Sequence, residues 1–285
     1  MTAPVARQSW GALGAAVGAV STGELLHTVE TQSAVLRHAY YRPGATVIQR
    51  ELEDRAIVYT VGGPIFRGGT EERALGRRLI YLPRGHDEVL RFDGPAHVLA
   101  IEILPSWTPP GAEAGWPDEP LPLIATLYEQ VWEVLIAIAE RRPSAAVRTG
   151  LDRLLSDVLT FSRKRAPEWL RHLVDDLHEN WQTSPMLADL SRQYGKSVQH
   201  ICRSLKSYTG TTLQRYLLLL RLDHARGLIW GTDMPLSAVA NATGFADQSH
   251  LTRALSSHLE ITPLRLRRAA PCLQRERFLV TEESG

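Results

Sequence analysis

The chain has 285 residues, 44% of them apolar, and only two cysteines, Cys202 and Cys272. That length suits about two domains and can bury a core without metal or disulfide staples. The cysteine count excludes a disulfide framework and a cysteine-rich zinc site, and it fits a reducing, cytoplasmic setting. A formal net charge of +1 argues against a strongly basic nucleic-acid binder, but the charge is unevenly spread: residues 166–270 carry twelve Lys/Arg against nine Asp/Glu plus six His, while residues 1–165 are roughly balanced.

No apolar run approaches the roughly 18 residues of a membrane-spanning helix. Gly11–Val20 follows Arg7 and weakly resembles a signal peptide, but it is short and rich in Gly and Ala. Residues 1–27 are therefore read as a flexible arm. Residues 28–112 read as β-structure. Short β-branched or aromatic runs cover Val35–Tyr41, Thr46–Gln49, Ala56–Val61, Arg78–Leu82, Glu88–Phe92 and His97–Leu104. Turn signals such as Arg42-Pro43-Gly44, Gly62-Gly63-Pro64 and Pro83-Arg84-Gly85 separate them. Evenly spaced short strands of this kind predict a small barrel or jelly roll. Arg37, His38, Tyr40 and Tyr59 either line a pocket there or face solvent.

Trp107–Pro122 is rich in Pro and Gly and reads as a connection. Helical spacing then takes over in residues 118–165. One stripe runs through Leu123, Leu127, Val131, Val134, Leu135 and Ile138. After Pro143 a second contains Val147, Leu151, Leu154, Leu155, Val158, Leu159 and Phe161. These two helices pack on the barrel or on a second copy of the chain. From Pro167 helices are predicted over about 167–181, 185–193, 198–208, 212–230, 235–242, 247–258 and 263–269. Residues 271–285 read as a polar tail.

The helical region repeats itself about 50 residues on. In the first copy Pro185 and Leu187–Ser191 lead to Gly195 and then Val198–Leu205. In the second, Pro235–Ala240 lead to Gly244 and then Gln248–Leu255. His200 matches His250, Arg203 matches Arg253, Ile201 and Leu205 match Leu251 and Leu255, and Thr212 matches Thr262. Each copy has the ingredients of a helix-turn-helix. Proline suits the first turn of the short helix. Glycine supplies the left-handed residue that ends it. Ser197 or Asp247 caps the next helix. That second helix turns its polar side out: Gln199, His200, Arg203 and Lys206 in one copy, Gln248, Ser249, His250 and Arg253 in the other. Such a helix enters the major groove, where Arg reads guanine and Gln reads adenine, while Ser, Thr and Lys more often hold phosphate. The alternative is a plain helical bundle with polar outer faces.

On these residues the chain resembles the AraC/XylS family of transcription regulators. The resemblance is strong over Gly244-Phe245-Ala246-Asp247-Gln248-Ser249-His250-Leu251-Thr252-Arg253. It is good over Tyr208-Thr209-Gly210, Tyr216-Leu217, Arg221-Leu222, Ala225-Arg226 and Ile261-Thr262-Pro263. It implies a DNA-binding domain over 166–270 with groove-facing Gln199, Cys202 and Arg203 in one unit and Gln248, Ser249, His250 and Arg253 in the other. Leu251, Leu255, Leu259 and Leu266 stand where the family usually has aromatic core residues. The N-terminal half resembles, more faintly, a cupin-type sensor. Metal-binding cupins place two His after the first glycine turn, whereas residues 49–54 contain none. Glu88 falls at the third ligand position, with His86 two residues early. No metal or other cofactor is therefore expected.

The sequence thus predicts an α+β protein with a cupin-like barrel, a helical linker and an all-α domain with two helix-turn-helix units. The resemblance implies a cytoplasmic regulator that is not an enzyme. Its expected partners are double-stranded operator or promoter DNA, a small-molecule effector in the barrel, RNA polymerase and a second copy of the chain. A barrel that only dimerises or meets another protein is the competing reading, and a cupin enzyme with a helical appendage is a remote third.

Overall fold

The computed structural model describes residues 23–49, 52, 54–62, 65–67, 73–75, 79–86, 88–94, 96–107, 116–118, 121–140, 142, 144–259 and 261–269. The tail at 271–285 and the signal-peptide-like stretch Gly11–Val20 lie outside them.

The N-terminal half is built from two antiparallel sheets. Strands β1 (Gly23–Glu30), β2 (Ala34–Tyr41), β4 (Arg55–Gly62), β7 (Leu79–Leu82), β9 (Ala96–Ile103) and β10 (Leu121–Pro122) form a six-stranded sheet in the order β1-β2-β9-β4-β7-β10. Strands β3 (Thr46–Gln49), β5 (Ile65–Arg67), β6 (Arg73–Leu75) and β8 (Glu88–Phe92) form the other, in the order β3-β8-β5-β6. The first strand begins inside the segment read as an arm. It pairs with β2 through a register shift between Leu25 and His27, an irregularity typical of an edge strand.

Successive residues of a strand point to opposite faces, and both faces of the large sheet are apolar. Ala39, Tyr41, Ala56, Val58, Ile80, Leu82, Val98 and Ala100 pack inward against Leu90 and Phe92 of the second sheet. Tyr41 and Phe92 stack there with ring centres 4.8 Å apart. Leu36, Ile57, Tyr59, Leu79, Tyr81, Leu99 and Ile101 face the other way, into the helices. Arg37 and Glu102 form a buried ion pair. The side chain of Glu88 lies outside the described residues.

The described part of the connection after β9 packs on the sheet. Trp116 stacks on Tyr81 at 5.2 Å, the Tyr81 hydroxyl donates to the Pro117 carbonyl at 3.1 Å, and β10 closes the sheet edge. A 3-10 turn at Ala125–Leu127 leads into α1 (Tyr128–Ala139), followed by α2 (Ser144–Ser162). Val131, Val134, Leu135 and Ile138 of α1 are buried, as are Leu151, Leu154, Leu155 and Val158 of α2. The apolar stripes of both helices are thus consumed within one chain.

Seven further helices follow among the described residues: α3 (Glu168–Glu179), α4 (Leu187–Tyr194), α5 (Val198–Thr209), α6 (Leu213–Gly231), α7 (Leu236–Ala242), α8 (Gln248–Leu259) and α9 (Pro263–Arg268). No helix of the described residues is long and apolar enough to cross a membrane.

Candidate nucleic-acid interface

Helices α4 and α5 form one helix-turn-helix and α7 and α8 the other. Gly195 ends α4 in the left-handed region at φ +61°, and Gly244 follows α7 at φ +74°, conformations that cost an L side chain about 1–2 kcal/mol. The prolines sit slightly earlier than the sequence suggested. Pro235 is the N-cap of α7, and Pro185 precedes the N-cap Met186 of α4. They direct the chain into each helix without occupying its first turn.

The second helices are capped as expected. The Ser197 hydroxyl accepts from the His200 amide at 3.3 Å, and the Asp247 carboxylate accepts from the His250 amide at 2.6 Å. Thr212 and Thr262, the matched pair beyond each unit, cap α6 and α9 in the same way through the amides of Arg215 and Arg265. Ile201 and Leu205 of α5 and Leu251 and Leu255 of α8 are completely buried. Leu266 of α9 is completely buried too, so leucine fills the core where the family prefers aromatics.

All nine predicted interface residues are exposed: Gln199, His200, Cys202, Arg203 and Lys206 on α5, and Gln248, Ser249, His250 and Arg253 on α8. Their surroundings differ. His200 lies against the Trp169 ring of α3, with centres 5.4 Å apart. His250 meets edge-on only the Phe245 ring of its own unit, at 5.3 Å. Arg253 Nε donates to the Ser249 carbonyl at 3.3 Å, one turn back on the same helix. Cys202 is an exposed free thiol.

Helix α6 joins the units and, at 19 residues, spans roughly 28 Å at 1.5 Å per residue. Arg221 on this helix braces both. Its guanidinium donates to the carbonyls of Trp181, Gln182 and Thr183 and, at 2.8 Å, to the Ser184 hydroxyl, all in the loop before α4. The same side chain lies within 3.4 Å of where a Cβ on Gly244 would stand, in the turn of the second unit.

Sequence reasoning did not find the seam between α6 and the large sheet. Asp223 accepts from the Trp132 indole N–H at 2.8 Å and from the Tyr59 hydroxyl. Trp132 Nε1 is also 2.9 Å from that hydroxyl. Arg226 is fully buried with its guanidinium carbon 5.8 Å from the Trp132 ring centre, and among the described residues none of its side-chain nitrogens has a hydrogen-bond partner. Burial lowers its pKa, and the opposing field of Asp223 favours the charge. His38 bonds His97 at 3.1 Å and its ring neighbours Trp230 of α6. Of the four strand residues with open roles, Arg37, His38 and Tyr59 thus serve internal contacts, and Tyr40 is buried beside His97.

Two capped helix-turn-helix units on a shared spacer define the class of this domain: a double helix-turn-helix module. The comparisons place it further. Residues 190–269 match the helix-turn-helix domain family. The HTH-type transcriptional activator RhaS of Escherichia fergusonii is 31% identical over 98 residues, 34% of this chain and 35% of that protein. RhaS of Pectobacterium atrosepticum is 32% identical over 94 residues, 33% of this chain and 34% of its own. An AraC-type transcriptional regulator structure from Chromobacterium violaceum is 30% identical, covering 36% of this chain and 94% of that one at a TM-score of 0.34. The C-terminal domain of this chain thus carries a helix-turn-helix domain similar to those of AraC-type and RhaS regulators. The match spans about a third of the length of the curated relatives.

Proposed function

We propose that the protein is a sequence-specific transcription regulator that binds double-stranded DNA through α5 and α8. The observation that carries this reading is the repeated geometry: two capped helices, each with an apolar back and an exposed polar face, at either end of one rigid spacer. Gln199, Cys202, Arg203, Gln248, Ser249, His250 and Arg253 face base edges, and Lys206 holds phosphate. His200 is shared with Trp169, so its part is to position the start of α5.

The same reading includes a small-molecule effector, contact with RNA polymerase and assembly with a second copy. The sequence assigned the effector to the barrel. Among the described residues, Tyr41, Leu52, Leu90 and Phe92 belong to a buried apolar cluster on the inner side of the sheets. Since α1 and α2 bury their apolar stripes internally, a second copy would dock on some other surface.

Footprinting on DNA upstream of the protein's own gene and its neighbours, at moderate salt, tests the reading. Protection over two successive major grooves that disappears in the double variant Arg203→Ala/Arg253→Ala is the expected result. Weak, salt-sensitive binding without a discrete footprint, with and without added cell metabolites, would overturn it.

A further inference from the structure

A cleft of about 680 Å³ opens between the α1–α2 hairpin and the α8–α9 turn. Its size falls in the range of small-molecule sites, about 300–1,000 Å³. Val134, Ile136, Ala137 and Ile261 give it an apolar floor, and Arg142, Arg153 and Arg265 stand around it. Two carboxylates answer these three cations. Glu133 pairs with Arg153, and Glu140 pairs with both Arg142 and Arg265. One positive charge is left over among these five side chains. Each guanidinium has five N–H donors in a planar fork, more than these ion pairs use. A carboxylate or sulfonate fits both the charge and the geometry.

The walls belong to different parts of the molecule. Arg265, in the first turn of α9, donates two hydrogen bonds to Glu140, at 2.7 and 2.9 Å, just past the end of α1. This clamp fastens the second helix-turn-helix unit to the linker. His258, at the end of α8, forms another part of the wall and accepts an N–H from Arg215 of α6 at 3.0 Å.

We propose that this cleft binds a small amphipathic organic anion, and that its occupancy sets how the second helix-turn-helix unit is held. The anionic group contacts the arginine rim and competes with Glu140 for Arg265, while the apolar body covers Val134, Ala137 and Ile261. The linked effect on DNA rests on the regulator reading above, and it requires the ligand to prefer one seat of α9 over the other. The site lies outside the two sheets, among helices and their connecting turns.

The test uses the full chain and the fluorescent anion 1-anilinonaphthalene-8-sulfonate. Saturable binding is expected, displaced by 1-naphthoate but not by the neutral 1-naphthalenemethanol. Arg153→Ala should weaken it about tenfold, as loss of a charged hydrogen bond does. Ala146→Trp, which fills the cleft from an exposed position on α2, should abolish it while the melting curve keeps its native shape. Absence of saturable binding, equal displacement by the neutral analogue, or unchanged binding in both variants would overturn the site. Saturating 1-naphthoate should alter the footprint under the second unit in the parent chain and not in Ala146→Trp. An unaltered footprint with a filled cleft would overturn the coupling. Loss of every footprint would instead sink the DNA reading, which the fluorescence titration keeps separate.

Discussion

The two helix-turn-helix units share a plan but are held differently. The first is backed by α3, whose Trp169 ring meets His200 and lies 6.0 Å from the Lys196 ammonium. The second is backed by α9, where Arg267 donates to the Met234 carbonyl at 2.5 Å and Arg265 grips Glu140. Their charge differs as well. The first helix is capped by neutral Ser197 and carries Arg203 and Lys206, with Lys196 in the turn before it. The second is capped by anionic Asp247, and Arg253 is the one fixed cation among its predicted contact residues. A carboxylate stabilises the positive end of its own helix, yet it repels the phosphates that the helix must approach. If the proposed DNA reading holds, the extra cations of the first unit favour phosphate contact beside its base-edge residues, and the second unit has less such support.

The most severe way to break this comparison is to empty either core. Leu205→Ala and Leu251→Ala each remove a completely buried side chain and should each cost about 2–5 kcal/mol in denaturant unfolding. Equal losses that abolish both footprints would show that the units melt together, as a shared spacer requires. Next come the contact residues. Arg253→Ala should cost about 1–3 kcal/mol of operator affinity and relax the preference at one base pair. Lys206→Ala should weaken binding to all sequences evenly and reduce the salt slope by about one. If the two variants exchange these signatures in a salt titration, the division of labour is wrong.

Asp247→Asn sharpens the contrast further. Asn caps about as well as Asp, so the melting temperature should hardly move while DNA affinity at low salt rises. A fall in affinity would show that the carboxylate contacts the DNA directly. The smallest effect concerns acid. Hydrogen bonds from Arg265 hold the Glu140 carboxyl below its ordinary range. A depressed carboxylate stabilises the fold above that range, and the contribution is lost as pH falls through it. Glu140→Gln should therefore lower the melting temperature slightly at pH 7, and by less as the pH falls through the acidic range, as thermal melts across pH will show.

Much of this was legible in the sequence, and the limits follow from where the signal lies. Strands β2, β4 and β9 were found from their β-branched and aromatic runs, and the C-terminal helices from a 3.6-residue period with glycine and threonine punctuation. Strand β1 was missed because GELLHTVE mixes polar and apolar residues as an edge strand does. β5 and β6, three residues each, are too short to carry a period. The exposed residues of α5 and α8 were legible because local repetition marks them. The seam was not. Tyr59 and Asp223 are 164 positions apart, and on a helix Asp223 and Arg226 look like part of a solvated face. Only the fold shows that this face is turned toward the sheet.

That seam bears on how the protein can be cut and recombined. A buried guanidinium is costly when it stays buried but loses the groups that offset its charge. Residues 167–269 carry Asp223 and Arg226 but not Tyr59 or Trp132, so a cut at 167 separates the two sides of this joint. Transplanted onto a foreign sensor, α6 would present two charges and the indole of Trp230 to a surface that never evolved to receive them. A chimera that keeps β4 and α1 with the C-terminal helices respects the joint, and its seam defines the unit of inheritance better than the Pro-rich connection in the sequence does.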